Sequence, residues 1–456
     1  MKKFLKIIIV LGFLLPVCVQ SQAVTWTRYY DPSGTRDFGI DALQMADKGY
    51  MILLNSKSGM YILKTDYLGK EIWSKIIYPY GGSYRFLQTS DNGFAICGLS
   101  IQNRMILIKT DENGDTLWTK QYTIDGRQSR AWSIKATRDK GFVLCGSVYP
   151  HYPNEAYVVK TDSIGNLEWQ NTYSTFTATD IVQSTNGNYY SVGWNLLRKI
   201  DSLGNEVWIK STGDALRIIE SEDGYLYLGG GSDGFYFAKF DTSGNSIFQN
   251  NFFENAGAKD ICADTKGNFL LAGSINLVDT LGDNQNAMFA KFNPMGELIF
   301  AKSVNTIGLF GELLSSCNLS SDGGYIMCGH TNYPTPGIWE DNVLAIKSDS
   351  AGNTSPIVTI KSQENESVRY FELEQNYPNP FNSTTLIKYY IKKPGIIKIV
   401  VYDILGKERF ELVNSKQHPG SYSIKLNVND LNSGLYLYGL IVDDQFSGCK
   451  KMIVLK

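Results

Sequence analysis

The chain has 456 residues, enough for two or three domains with cores of their own, and its 43 Lys and Arg nearly cancel its 45 Asp and Glu. That balance, with no basic stripe, argues against nucleic acid as a partner. Abundant Tyr and Phe together with 43 Gly indicate many short strands joined by tight turns, the composition of an all-β protein.

The N-terminal stretch "MKKFLKIIIVLGFLLPVCVQSQA" places Lys2, Lys3 and Lys6 before an apolar run from Ile7 to Val19, then Ser21 and Ala23 as small residues. It reads as a secretory signal peptide, residues 1–23, removed after about Ala23. No later segment is apolar enough for long enough to span a bilayer, so the mature chain is expected to carry no transmembrane segment.

From here two phrases recur. The first is "TDYLGKEIWSK" at Thr65, "TDENGDTLWTK" at Thr110, "TDSIGNLEWQN" at Thr161, "IDSLGNEVWIK" at Ile200, "FDTSGNSIFQN" at Phe240, "FNPMGELIFAK" at Phe292 and a decayed "SDSAGNTSPIV" at Ser348. The second is "DKGYMILL" at Asp47, "DNGFAICG" at Asp91, "DKGFVLCG" at Asp139, "TNGNYYSVG" at Thr185, "EDGYLYLGG" at Glu222, "TKGNFLLAG" at Thr265 and "DGGYIMCG" at Asp322. The unit is about 40–55 residues long and its segments alternate apolar and polar residues, as four strands of a propeller blade would. The Asp of the first phrase folds its carboxylate onto nearby backbone N–H groups and the Gly supplies positive φ. The large residue four positions after that Gly, one of Trp73, Trp118, Trp169, Trp208, Phe248 and Phe300, is expected to wedge between neighbouring sheets. A calcium loop is excluded, because "DENGD" lacks the Glu and the length of an EF-hand.

The last turn reaches Pro356 where the others reach an aromatic, whereas "VTWTRYY" after the signal peptide carries Trp26 on the same kind of strand. That strand is therefore expected to pair with Val343 to Lys347 as the outer strand of the last blade, closing a seven-bladed β-propeller over residues 24–353. The region from Trp26 to Asn353 resembles quinoprotein-like and related bacterial propeller repeats with the signature Asp-x-x-x-Gly-x-x-x-Trp, which implies fold more than function. Cys97, Cys145 and Cys328 hold equivalent places in the second phrase and read as small buried side chains, while Cys262, Cys317 and Cys449 show no CxxC spacing.

Strand alternation puts both repeated turns on one face and the variable connections on the other. The longest of these follow Gly146, Gly273 and Gly329, and they carry Tyr149, His151, Tyr152, Tyr333 and Trp339 beside Asp279, Asp283, Glu340 and Asp341. Aromatic faces with carboxylates suit sugar rings, so Tyr149, His151, Tyr333, Trp339 and Asp341 are the candidate ligand-binding residues. No catalytic residue, metal or cofactor is assigned: there is no adjacent Cys pair, HExxH or phosphate loop, and the three histidines His151, His330 and His418 are scattered. The expected function is a secreted or surface binding protein for an extracellular glycan or protein. The alternative is a secreted propeller enzyme acting on extracellular polysaccharide or peptide.

After a polar linker, residues 354–370, strands with Pro and Gly turns indicate a small immunoglobulin-like β-sandwich over residues 371–456. The pieces "QNYPNPFN", "STTLIKY", "VYDILGKE", "LNSGLYLYGL" and the terminal "KKMIVLK" resemble the type A C-terminal sorting domain of the type IX secretion system of Bacteroidetes and related bacteria. The resemblance implies passage through the periplasm, recognition by the outer-membrane secretion machinery and a secreted or cell-surface destination.

Overall fold

A computed structural model describes residues 24–149, 154–174, 177–279, 282–304, 311–335, 338–355, 371–391, 394–403, 407–428, 431–443 and 445–456. Every regular element among them is a β-strand, and no helix is long and apolar enough to cross a membrane. The chain divides into two compact units, residues 1–360 and 361–456.

The first unit contains seven four-stranded antiparallel sheets. Six are built from consecutive strands; the third, for example, runs Gln128–Ala136, Phe142–Tyr149, Glu155–Thr161 and Leu167–Tyr173. The seventh joins Glu312–Leu319, Tyr325–Thr335 and Ile338–Ser348 to the N-terminal strand Trp26–Tyr30. Trp26 lies opposite Lys347 and Tyr30 opposite Val343, the partners expected from the sequence. The first strands of the sheets, Asp37–Gln44, Gly82–Gln88, Gln128–Ala136, Asp180–Gln183, Arg217–Glu220, Ala256–Ala263 and Glu312–Leu319, each touch the next, and the last touches the first. The arrangement is propeller-like.

Burial follows from this stacking. Seven hydrophobic clusters are found in the first unit, each drawing its residues from two neighbouring sheets. Within Phe94–Leu99, Phe94 and Ile96 pack toward the first sheet while Ala95 and Cys97 pack toward the third. The middle strands are therefore buried at nearly every position, where simple alternation of apolar and polar residues was expected; a sheet covered on both faces has no solvated side to mark. Cys97, Cys145, Cys262, Cys317 and Cys328 are free and buried.

The repeated turns behave as their residues require. In the third sheet the Asp162 carboxylate accepts from the backbone N–H groups of Ile164 at 3.0 Å and Asn166 at 2.8 Å, and Gly165 has φ of 77°. The same pair of bonds forms at Asp66, Asp111, Asp201, Asp241, Asp349 and, with an amide oxygen, Asn293. The glycine has a second role that the turn alone does not reveal. A Cβ on Gly165 would come 2.7 Å from Cη2 of Trp118, the aromatic of the preceding sheet, and Gly204, Gly244, Gly296 and Gly352 face Trp169, Trp208, Phe248 and Phe300 in the same way; at Gly114 Ile62 comes closer still, with Trp73 at 3.3 Å. Trp26, on the last sheet, lies against Gly69 of the first. Each ring thus occupies the space that a side chain on the next turn would need. Tyrosines reinforce the seam: Tyr30, Tyr122 and Tyr173 donate to the carbonyls of Gly69, Gly165 and Gly204 at 2.6, 2.7 and 2.7 Å.

A further recurrence becomes visible only in three dimensions. The Lys before the Thr-Asp turn reaches back to an acid of the other turn on the same face: Lys64 to Asp47 at 2.7 Å, Lys109 to Asp91 at 2.8 Å, Lys160 to Asp139 at 2.7 Å, Lys239 to Asp223 at 3.0 Å, Lys291 to Asp264 at 2.8 Å and Lys347 to Asp322 at 2.8 Å. In the fourth sheet Thr185 stands where the acid would be, and Lys199 lies over the Tyr190 ring instead. Partial burial alone would raise the carboxyls of Asp91, Asp139 and Asp264, but the bonds from their lysines prevail and hold them at about 2.

In the second unit, Phe371–Leu373, Thr384–Ile391 and Gly420–Asn427 form one sheet, and Gly395–Asp403, Glu408–Gln417, Gly434–Val442 and Gln445–Val454 form another. One core, including Ile387, Ile399, Leu426, Tyr438 and Met452, is shared by both. The residues of "QNYPNPFN" tie the start of this unit to its last strand. Phe381 is buried, its N–H donates to Ile453 O at 3.0 Å, its carbonyl accepts from Leu455 N at 2.8 Å, and Asn379 Oδ1 accepts from Ile453 N at 2.8 Å.

The contact between ring and glycine can be isolated by comparing two turns. Gly187 has φ of 85° with open space around a notional Cβ, whereas Gly165 has a similar φ and the Trp118 ring in the way. Gly187→Ala should cost about 1 kcal/mol of strain, and Gly165→Ala roughly 1–3 kcal/mol more for the displaced ring. Urea unfolding of the two variants measures the difference; equal losses would remove the ring from the explanation.

Candidate functional site

In the six sheets of consecutive strands the first and second strands are joined on the same face as the third and fourth, so the two repeated turns share one face. The hairpins between second and third strands lie on the other. The first strands run from the hairpin face toward the turn face and are interrupted by bulges between Gly39 and Asp41, Ser83 and Arg85, Ala131 and Ser133, Ala258 and Asp260, and Leu314 and Ser316. The extra residue re-aims the side chains around it. Polar and charged groups collect at this level among the first strands.

Arg85 makes the longest reach. Its guanidinium pairs with Asp41 of the first sheet at 3.3 Å and with Asp260 of the sixth, and all three side chains are largely buried. Arg217 of the fifth sheet approaches Asp260 at 3.5 Å. Asp180 of the fourth accepts from Ser133 Oγ and from Ile218 N at 3.0 Å, with Lys135 at 4.0 Å. Asp260 also accepts from Cys317 N at 2.9 Å, and Asp41 from Asn318 Nδ2 at 3.1 Å. The carboxylates of Asp41, Asp180 and Asp260 are matched by Arg85, Arg217 and Lys135, so the cluster neutralises itself. Burial works against the charged form of Arg85, but Asp260 and Asp41 outweigh it and raise its pKa. Burial likewise opposes ionisation of Asp180, and Lys135 and Arg217 reverse that to lower its pKa.

Toward the hairpin face the same strands present an aromatic group. The rings of Tyr84 and Trp132 lie 4.4 Å apart, tilted by 56°. The Arg130 guanidinium lies over Trp132 at 5.4 Å and over Tyr149 at 4.8 Å. Burial pushes the Tyr84 phenol up while Arg130 beside it pulls it down. Tyr84, Arg130 and Trp132 were not among the sequence candidates, because the bulge that re-aims first-strand side chains cannot be read from spacing.

Of the sequence candidates, Tyr149 belongs to this group: it pairs with Gln128 and its hydroxyl accepts from Ser147 Oγ at 3.0 Å. His151, like Tyr152, lies outside the described residues. The connections after Gly273 and Gly329 continue as paired strand, out to Asp279 opposite Gly282 and Thr335 opposite Ile338. Tyr333 is opposite Glu340 and Trp339 opposite Pro334, so the two aromatics do not share a cross-strand pair. Asp341 is buried on the seventh sheet, 3.6 Å from Arg36. Its charge favours the protonated form of nearby His330, but burial prevails and lowers the histidine pKa. The His330 ring meets Phe38 edge to face at 5.1 Å. Tyr149 and Asp341 therefore sit on different sheets, with no hydrogen bond or ion pair joining them among the described residues. A separate cavity of about 430 Å³, lined by Asp233 and Asn251 to Asn255, opens at the outer strand of the fifth sheet and contains none of the candidates.

Residues 375–455 match the family described as "Secretion system C-terminal sorting domain". The tail marks the protein for the secretion machinery and a secreted or outer cell-surface location. A search of curated proteins finds no match. Among solved structures, virginiamycin B lyase from Staphylococcus aureus aligns with a TM-score of 0.49 at 10% identity, over 71% of this chain and 99% of that one. The Pan2 WD40 domain of Neurospora crassa aligns with a TM-score of 0.42 at 9% identity, over 61% and 92%. A Bacteroides caccae protein of unknown function gives 0.41 at 9% identity, over 59% and 94%. No activity is carried over from likenesses of this size.

The charged cluster makes a direct prediction. Arg85→Met orphans Asp41 and weakens the compensation of Asp260, and should cost about 3–5 kcal/mol. Adding Asp41→Asn, which removes one orphaned charge, should recover part of that loss. Urea unfolding at pH 7 checks both, and an unchanged R85M variant would mean that the cluster does not hold the first strands together.

Proposed function

We propose that residues 24–353 form a seven-bladed β-propeller, closed by the strand of Trp26, that acts outside the cell as a binding module for a glycan or protein. Residues 1–23 are read as its signal peptide, residues 354–370 as a linker and residues 371–456 as an immunoglobulin-like sandwich serving as the export address. Cyclic contact among the first strands and the placing of Trp26 against Gly69 support closure. The observation that carries the binding reading is the Tyr84, Trp132, Arg130 and Tyr149 group at the inner edge of the hairpin face. Aromatic faces on a rigid scaffold, beside connections that vary from sheet to sheet, are where recognition tends to be placed. Tyr333, Trp339, Asp341 and His151 are proposed to extend the surface along the longer hairpins.

Binding is tested by comparing the mature protein with Tyr149→Ala, Tyr333→Ala and Trp339→Ala on immobilised extracellular glycans and on whole cells. At least one variant should bind roughly tenfold more weakly with its melting temperature unchanged, the loss of one anchoring aromatic. Undiminished binding by all three would place recognition elsewhere. Export is tested separately: a chain ending before Phe371 should accumulate folded in the periplasm, because each unit has its own core. Its normal appearance in the medium or on the cell surface would contradict the role given to the tail.

A further inference from the structure

Four other arginines of the first unit's interior have anionic partners. Arg85 and Arg217 meet Asp260, Arg198 meets Glu206 at 2.6 Å, and Arg127 meets Glu155 at 2.9 Å. Arg130 is half-buried and forms no ion pair among the described residues. Its Nε is sealed from solvent without a hydrogen-bond partner, and so is Nε1 of Trp132, over which it lies. The buried carboxylates of Asp41, Asp180 and Asp260 are already matched by Arg85, Arg217 and Lys135.

Two donors of this kind side by side have a common requirement. The rings of Trp132 and Tyr149 hold the guanidinium at cation–π distance, but an aromatic face satisfies none of its N–H bonds. A guanidinium fixed in this way and left without an anion is prepared for a planar, two-oxygen acceptor. A single cation suits the single charge of a carboxylate; a phosphate dianion would call for more than one. The Trp132 and Tyr84 rings add apolar faces against which the C–H side of a sugar ring can lie, and the indole N–H can take a hydroxyl or carboxylate oxygen.

We propose that Arg130 is the receptor for the carboxylate of an acidic sugar, a uronic acid residue of an extracellular polysaccharide, with Trp132 and Tyr84 bearing its ring. The proposal rests on the reading of the first unit as a binding module and names its ligand class. Selectivity for acidic over neutral sugars comes from the unpaired guanidinium, and it weakens with salt because the charge contact is partly exposed.

The mature chain is titrated calorimetrically with glucuronate, with trigalacturonate and with neutral cellotriose. The acidic sugars should bind and cellotriose should bind at least tenfold more weakly. Arg130→Gln should lose at least tenfold for the acidic sugars and bring them level with cellotriose. Arg130→Lys, which keeps the charge but not the fork, should fall between, and Trp132→Phe should weaken binding several-fold while keeping the acidic preference. Thermal unfolding of each variant checks the fold; should R130Q unfold, a reduced acidic preference in R130K carries the test, and an R130K preference equal to the wild type overturns the proposal. Equal binding of acidic and neutral trimers by the wild type, no binding of either acidic sugar, or an R130Q variant that titrates like the wild type each overturns the proposal. Cell or glycan binding that is lost in Tyr333→Ala or Trp339→Ala but kept in R130Q would overturn it while leaving the binding module in place.

Discussion

The first unit depends on one contact repeated around it: an aromatic ring on the outer strand of each sheet, seated on the bare glycine of the next sheet's turn. The contact sets the spacing of neighbouring sheets at their outer edge, since nothing larger than hydrogen fits on the glycine once the ring is in place. It explains why the turn keeps Gly even though its Asp already closes it, and why Trp and Phe alternate in one role: both supply a flat face of sufficient area. Trp26 on Gly69 is the same contact made by the N-terminal strand, and it ties the seventh sheet to the first.

Sheets fixed at the outer edge must still meet at the inner one, where the first strands converge. Their apolar side chains are directed into the clusters between sheets, leaving charged residues to face one another at the level of the bulges. Arg85 joins sheets that are not neighbours in sequence, and Asp180 and Asp260 accept backbone N–H groups from the following sheet, so the ion pairs also carry strand-to-strand hydrogen bonds. Such a network stabilises little compared with a well-packed apolar core, but it is costly to break. Among the described residues it also leaves Arg130, nearer the hairpin face, as a cation without a paired anion.

The second unit follows a different plan. Its seven strands enclose one core, and the Asn and Phe of "QNYPNPFN" are spent on holding the C-terminal strand. An address read by other proteins needs a fixed shape, and tying the first segment to the last strand supplies it. The two units thus divide the protein's tasks, export in one and the proposed recognition in the other.

What the sequence by itself determined is local or periodic. Repeated turns announce themselves by Asp and Gly, outer strands by Trp four residues on, the N-terminal strand by its likeness to "LWTKQY", and the sorting tail by motifs along its length. All of these depend on residues a few positions apart, where bond geometry and turn chemistry act. Tertiary structure alone decided which distant residues meet. The Lys–Asp pairs join the third strand to the turn before it, the cluster of Arg85 with Asp41 and Asp260 joins three sheets, and the Tyr84, Trp132, Arg130 and Tyr149 group joins two. A one-residue bulge re-aims the first-strand side chains, and nothing in residue spacing marks it, because the extra residue exists only relative to the partner strand against which it is counted.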